Sequence, residues 1–189
     1  MIHASPSLVI AGSLRPRRIA VQVADWVAAV GREATGGLFE VIDLKDWPLP
    51  MDDEPGIPAA GVYAHEHTRA WSRKVAAAGA FVFVTPQYNW GYPAPLKNAL
   101  DHLHAEWAGK PAMIVTYGAR GGERCGEQLR QVCQGLRMRP VDARTELILA
   151  RERIEVDSGE IDPAAGFAEA LDDLRRAFAA LAAAAPDNI

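Results

Sequence analysis

Three short stretches of this chain hold residue types able to bind a flat, charged ligand. The first is Gly12-Ser13-Leu14-Arg15-Pro16-Arg17-Arg18. It sets a hydroxyl and three guanidinium groups beside a helix start, where free amides and the helix dipole favour an anion. Arginine adds charge-assisted forks to phosphate oxygens. A solvated basic loop would have the same composition. The stretch contains neither Gly-x-Gly-x-x-Gly nor the Walker lysine pattern, which points to a single phosphate rather than a pyrophosphate. The second stretch is Thr85-Pro86-Gln87-Tyr88-Asn89-Trp90-Gly91-Tyr92-Pro93-Ala94-Pro95. Its prolines stiffen the backbone and Gly91 permits close approach. Such a loop can lie against a planar ring, its amides and Asn89 bonding to the ring edge; it equally suits an aromatic subunit contact. The third is Tyr117-Gly118-Ala119-Arg120-Gly121-Gly122-Glu123, whose glycines fit either a backbone kept close to a ligand or a simple turn into a helix.

Regular elements must bring these stretches together. Leu8–Ala11, Phe39–Leu44, Phe81–Thr85 and Ala112–Tyr117 read as strands, and Thr145–Leu149 as a fifth, with a possible start nearer Val141. Phe81-Val82-Phe83-Val84-Thr85 lacks alternation, as a strand covered on both faces requires. Helical spacing marks Ile19–Ala29, about Ala64–Ala78, the Leu96/Leu100/Leu103 and Leu129/Val132/Cys133/Leu136 stripes, and a C-terminal helix carrying Phe167, Leu171, Leu174, Phe178 and Leu181. Repeated strand–helix alternation gives a parallel sheet with helices on both faces. Ligands of such sheets sit at the carboxyl ends of the strands, where the strand order reverses. The three stretches follow strands one, three and four.

Composition bounds the rest. The chain has 189 residues, 49% hydrophobic and 23% charged, as expected for one globular domain over residues 1–189. Its formal charge of −4 argues against a nucleic-acid partner, which needs many unopposed cations. Apolar runs are about half the ~20 residues that a membrane span needs. Without a secretory signal in the first residues, a cytoplasmic location is expected. Two cysteines exclude a disulfide framework. Cys133 and Arg139 have the Cys-x5-Arg spacing of a phosphatase loop, but Cys133 lies in a helical apolar stripe and reads as a core thiol. His65-Glu66-His67 lacks the spacing of a helical zinc site, and His102 and His104 diverge on a helix, so no metal site is expected.

The whole chain resembles the NAD(P)H-dependent FMN reductases, a flavodoxin-like family that includes quinone reductases. Gly12-Ser13-Leu14-Arg15 resembles the family's phosphate loop. Thr85-Pro86-Gln87-Tyr88-Asn89 is similar to its Thr-Pro-Glu-Tyr-Asn signature, continued by Pro93-Ala94-Pro95-Leu96-Lys97-Asn98-Ala99-Leu100-Asp101. Tyr117-Gly118 with Gly121-Gly122 resembles its third loop. Gln87 replaces the usual glutamate, and Arg18 stands where many members have serine.

The resemblance implies an α/β, flavodoxin-like three-layer sandwich with a five-stranded parallel sheet of order 2-1-3-4-5. It implies FMN as cofactor and NADPH or NADH as co-substrate, with hydride passing through flavin N5 to a quinone-like acceptor. The cofactor carries that chemistry, so no catalytic acid or base is assigned. Ser13, Arg15 and Arg18 are the phosphate candidates, with Arg17 an alternative. Pro86, Gln87, Tyr88, Asn89, Trp90, Tyr117, Gly118, Gly121 and Gly122 complete the expected cofactor site. A homodimer or dimer of dimers is expected. The competing functions are a non-enzymatic electron carrier, against which the modest charge and Arg120 speak, and a redox-responsive binding module.

Overall fold

The computed structural model of the chain describes residues 5–51, 53–150 and 159–185. A parallel sheet runs through its centre. Strands β1 (Ser7–Ala11), β2 (Phe39–Asp43), β3 (Ala80–Pro86) and β4 (Pro111–Gly118) lie in the order β2-β1-β3-β4. Every residue of β1 and β3 is buried, the physical reason these segments read as unbroken apolar runs.

The fifth position departs from expectation. The strand expected over Thr145–Leu149 is present as β6 (Thr145–Ile148), but a separate short piece, β5 (Arg139–Pro140), precedes it, and both pair with β4. β5 meets Pro111–Ala112 and β6 meets Val115–Gly118. Pro140 has no N–H to continue a ladder. Arg130 closes part of the gap by donating to the carbonyls of Pro140 and Val141.

The pleat sends alternate strand residues into two cores. Val9, Ala11, Val82, Val84, Met113 and Val115 pack under helices α1 (Ala20–Thr35) and α6 (Leu171–Ala184). Leu8, Ile10, Phe81 and Phe83 pack under α2 (Glu66–Ala76), α3 (Ala94–Asp101) and α4 (Glu123–Gly135). Trp71 and Trp107 are fully buried in this second core, and their indole N–H groups donate to the carbonyls of Ala99 and Leu100 at 2.8 and 3.1 Å. A four-residue turn, α5 (Pro163–Gly166), precedes α6 and is capped by the Asp162 carboxylate. Phe167 falls outside α6, in the turn before it, yet stays buried beside Trp26. The expected three layers and the expected strand order are both present, with a divided last strand. Among the described residues, no helix is long and apolar enough to cross a membrane.

Candidate functional site

From β1 the chain crosses to β2 on one side, and later enters β3 on the other. The strand order therefore reverses between β1 and β3, opening a crevice at their carboxyl ends. Gly12 lets the first loop start against β3: its N–H donates to Val84 O at 2.9 Å, and a Cβ there would sit 3.1 Å from Thr85 Oγ1 and from a Leu96 methyl. The next residue, Ser13, is buried, and its hydroxyl lies 2.7 Å from that of Tyr88. Arg15 stacks its guanidinium 3.7 Å over the Tyr88 ring.

Helix α1 then begins with no side-chain cap and no acidic residue in its first turn. Its amide dipoles are thus left to whatever occupies the crevice. Arg18 is ion-paired with Asp43 at the end of β2, and Asp43 also accepts from the Lys45 amide. The buried Nε of Arg18 has no partner among the described residues.

These loops surround a cavity of about 330 Å³. Eight of the expected site residues line it: Ser13, Arg15, Arg18, Pro86, Gln87, Tyr88, Tyr117 and Gly118. Burial raises the Tyr117 hydroxyl above its usual range, so it stays protonated.

Four expected residues lie outside the cavity. Asn89 and Trp90 both have positive φ, 49° and 72°, at the tip of a two-residue turn closed by reciprocal Tyr88–Gly91 backbone bonds of 2.8 and 2.9 Å. That turn swings the Trp90 ring out to stack under Arg124 of α4, 3.8 Å away. It also consumes the Tyr88 amide, whereas the Asn89 and Trp90 amides make no bond among the described residues. Gly121 and Gly122 turn the chain into α4 instead. A Cβ at Gly121 would meet Glu146 at 2.8 Å, and one at Gly122 would meet Thr116 at 2.9 Å.

Gln87 has a second task. Its Oε1 accepts from the Cys125 amide at 3.2 Å, capping α4, whose Gly122 cap position has no side chain to do so. Its carbonyl oxygen accepts as a carboxylate would, so the departure from glutamate leaves this contact intact. Cys125 lies beneath Pro86, and burial pushes its thiol up to about 12, which keeps it unreactive.

The sequence reading missed one wall. Gly159, Glu160 and Ile161, with Ile19, Ala119, Leu149 and the alternative phosphate candidate Arg17, complete the lining. The segment is held to α1 by Gln22, whose side chain donates to Gly159 O and accepts from Ile161 N, each at 2.8 Å. Gly159 has φ of 73° and lies against the Arg17 backbone, so a glycine beside the Asp162-Pro163 helix start was the available signal.

The matching family model is described as NADPH-dependent FMN reductase and spans residues 7–148. An NAD(P)H-dependent FMN reductase of Schizosaccharomyces pombe is 51% identical over 173 residues, covering 90% of this chain and 86% of the relative. The chain belongs to the NADPH-dependent FMN reductase family. It is an oxidoreductase, with FMN as its cofactor and NAD(P)H as co-substrate. A quinone reductase of Escherichia coli K12 is 31% identical over 133 residues, covering 66% of this chain and 67% of the relative. The fold matches that of a flavodoxin from the domain Archaea with a TM-score of 0.60 at 12% identity, covering 96% of this chain and 99% of that one.

The residues present fit FMN. The cavity lining offers a buried hydroxyl, arginine side chains, a guanidinium nitrogen without a partner among the described residues and an uncapped helix start, as a phosphate requires. Apolar Pro86, Ile19, Leu149 and Ile161 share the lining.

Proposed function

We propose that this protein is a cytoplasmic, dimeric or tetrameric reductase that passes electrons from NADPH or NADH to quinone-like acceptors. The observation that carries this reading is the convergence of three strand-end loops and the uncapped start of α1 on one cavity. Ser13, Arg15, Arg17 and the first amides of α1 would hold the phosphate. Arg18, already paired with Asp43, would add its open Nε. Gln87, Tyr88, Tyr117 and Gly118 would border the ring, with the open Asn89 and Trp90 amides at its rim. When bound, FMN would supply the two-electron chemistry that links nicotinamide to acceptor by hydride transfer, held by the residues just named.

The protein's task is to hold the partners in stacking contact at about 3–3.5 Å. Apolar Ile19, Leu149 and Ile161 in the lining would help exclude water once the cavity is filled. No catalytic acid or base is assigned; the proton that accompanies the hydride would come from water, while burial keeps the Tyr117 hydroxyl protonated. The similarity to a quinone reductase supports the acceptor class.

An absorption spectrum of the fresh protein, then NADH and NADPH oxidation with a soluble quinone, tests the proposal. A flavin spectrum and quinone-dependent turnover are expected. A flavin-bound protein that turns over none of several acceptors would overturn it.

A further inference from the structure

Three chain segments that the sequence keeps apart meet on the side of the sheet covered by α2 and α3. We propose that Asp53, His67 and His102 form a binding site for one divalent transition-metal ion, Zn²⁺ being the ion that their two-imidazole, one-carboxylate donor set fits. Each residue offers one ligand atom, and these atoms lie within 4.8 Å of one another. His67 Nε2 is 3.0 Å from Asp53 Oδ2 and 3.2 Å from Oδ1. His102 Nε2 is 3.9 Å from Asp53 Oδ1, too long for a hydrogen bond. Ligand atoms about 2.0–2.2 Å from a tetrahedral zinc are about 3.3 Å apart, so small side-chain shifts close the set.

The imidazole orientation is the stronger observation. His102 is 6% exposed, and its Nδ1 lies 2.8 Å from the Asn98 carbonyl. A carbonyl can only accept, so Nδ1 carries a proton, and in the neutral ring Nε2 presents its lone pair. That Nε2 has no hydrogen-bond partner among the described residues and faces the Asp53 carboxylate. An imidazole fixed by a carbonyl on one nitrogen and open on the other is the arrangement by which proteins orient metal-binding histidines.

The surrounding structure holds all three segments in place. Glu54 accepts from the amides of Ala64 and His65 at 2.7 and 3.1 Å, tying the Asp53 segment to the start of α2, which carries His67. His65 Nε2 lies 2.9 Å from Asp53 O, and its ring stacks on that of His67. Asn98 of α3 donates its side-chain N–H to Leu49 O at 2.8 Å, anchoring the His102 end to the same proline-rich loop. A cavity of about 130 Å³ adjoins Asp53 and His102, leaving room for a water as a fourth ligand. Bound metal would clasp this loop to α2 and α3. The spacing rules within single segments miss the site because each segment contributes one ligand.

The test is calorimetric titration of Zn²⁺ into the tag-free, flavin-bound protein after chelator treatment. Saturable binding of one ion per chain is expected, with a higher melting temperature. Asp53→Asn and His67→Ala should each weaken binding by roughly tenfold or more, while His104→Ala should bind as the parent does. Flavin absorbance and circular dichroism confirm that the variants are folded. Because His67 is partly exposed in the first turn of α2, that variant provides the test should Asp53→Asn unfold. No saturable binding, or binding unchanged in folded His67→Ala, would overturn the site and leave the flavin reading untouched.

Discussion

The hydroxyls of Ser13 and Tyr88, 75 residues apart in the chain, meet at 2.7 Å, joining the loop after β1 to the loop after β3. The bond fixes the spacing of the two loops that shape the cavity. Tyr88→Phe leaves the ring under Arg15 but removes this partner from the buried Ser13 hydroxyl, which keeps only the 3.4 Å bond from the Arg15 amide. The expected cost is about 0.5–1.5 kcal/mol of stability. Urea unfolding of the flavin-free protein measures it, and an unchanged midpoint would show that the bond contributes nothing.

Arg15 and Arg120 separate phosphate binding from general positive charge. Arg15 lines the cavity, whereas Arg120 is exposed and outside its lining. A charge-assisted bond to phosphate contributes about 1.5–3 kcal/mol, so Arg15→Ala should weaken FMN binding by roughly 10- to 100-fold. Arg120→Ala should leave it nearly unchanged. Fluorescence titration of FMN into both variants decides, and equal affinities would remove Arg15 from the phosphate role.

Gln87 is expected to matter as a cap for α4. Gln87→Ala removes the acceptor for the Cys125 amide and should cost about 1 kcal/mol. Gln87→Glu restores an acceptor with a charge that the helix dipole favours, and should be neutral or stabilising by a few tenths of a kcal/mol. The sign of the difference between the two variants in denaturant unfolding is the check.

Stability should fall at alkaline pH. Burial pushes Cys125 and Cys133 up to about 12 from an ordinary value of 9.0, and raises Tyr63, Tyr92 and Tyr117 above 10.0. The folded chain keeps these protons while the unfolded chain releases them. Their contribution is therefore complete below about pH 9 and is lost as pH rises toward 12. Lys110 opposes this: burial lowers it to about 8, which adds stability between there and 10.5. Two thiols and three phenols outweigh one amine. Urea midpoints should decline from about pH 9.5 to 11, where the thiols and phenols dominate, and a flat or rising series over that range would contradict the balance. Neither thiol should react with a disulfide reagent at pH 8 while the chain is folded.

Legibility in the sequence followed burial. β1, β3 and β4 were plain because strands covered on both faces leave long apolar runs. The strand expected at Thr145–Leu149 is β6, but the two-residue β5 before it was not legible because Pro140 and Asp142 interrupt the run, and only its pairing with β4 reveals it. At the site, Ser13, Arg15 and Tyr88 stand in loops whose composition announces a ligand. The Gly159–Ile161 wall does not, since it is held by one glutamine side chain on α1. Asn89 and Trp90 were expected at the ring, but two consecutive positive φ angles carry their side chains outward, a conformation that composition does not reveal.

The divided fifth strand has a consequence for assembly. Among the described residues, the sheet beyond β4 offers a two-residue and a four-residue fragment, separated by a bend and crossed by Arg130. A neighbouring molecule finds no continuous row of amides there to extend. The rim is thereby guarded against runaway stacking of sheets from chain to chain, and ordered association is left to helical faces and loops.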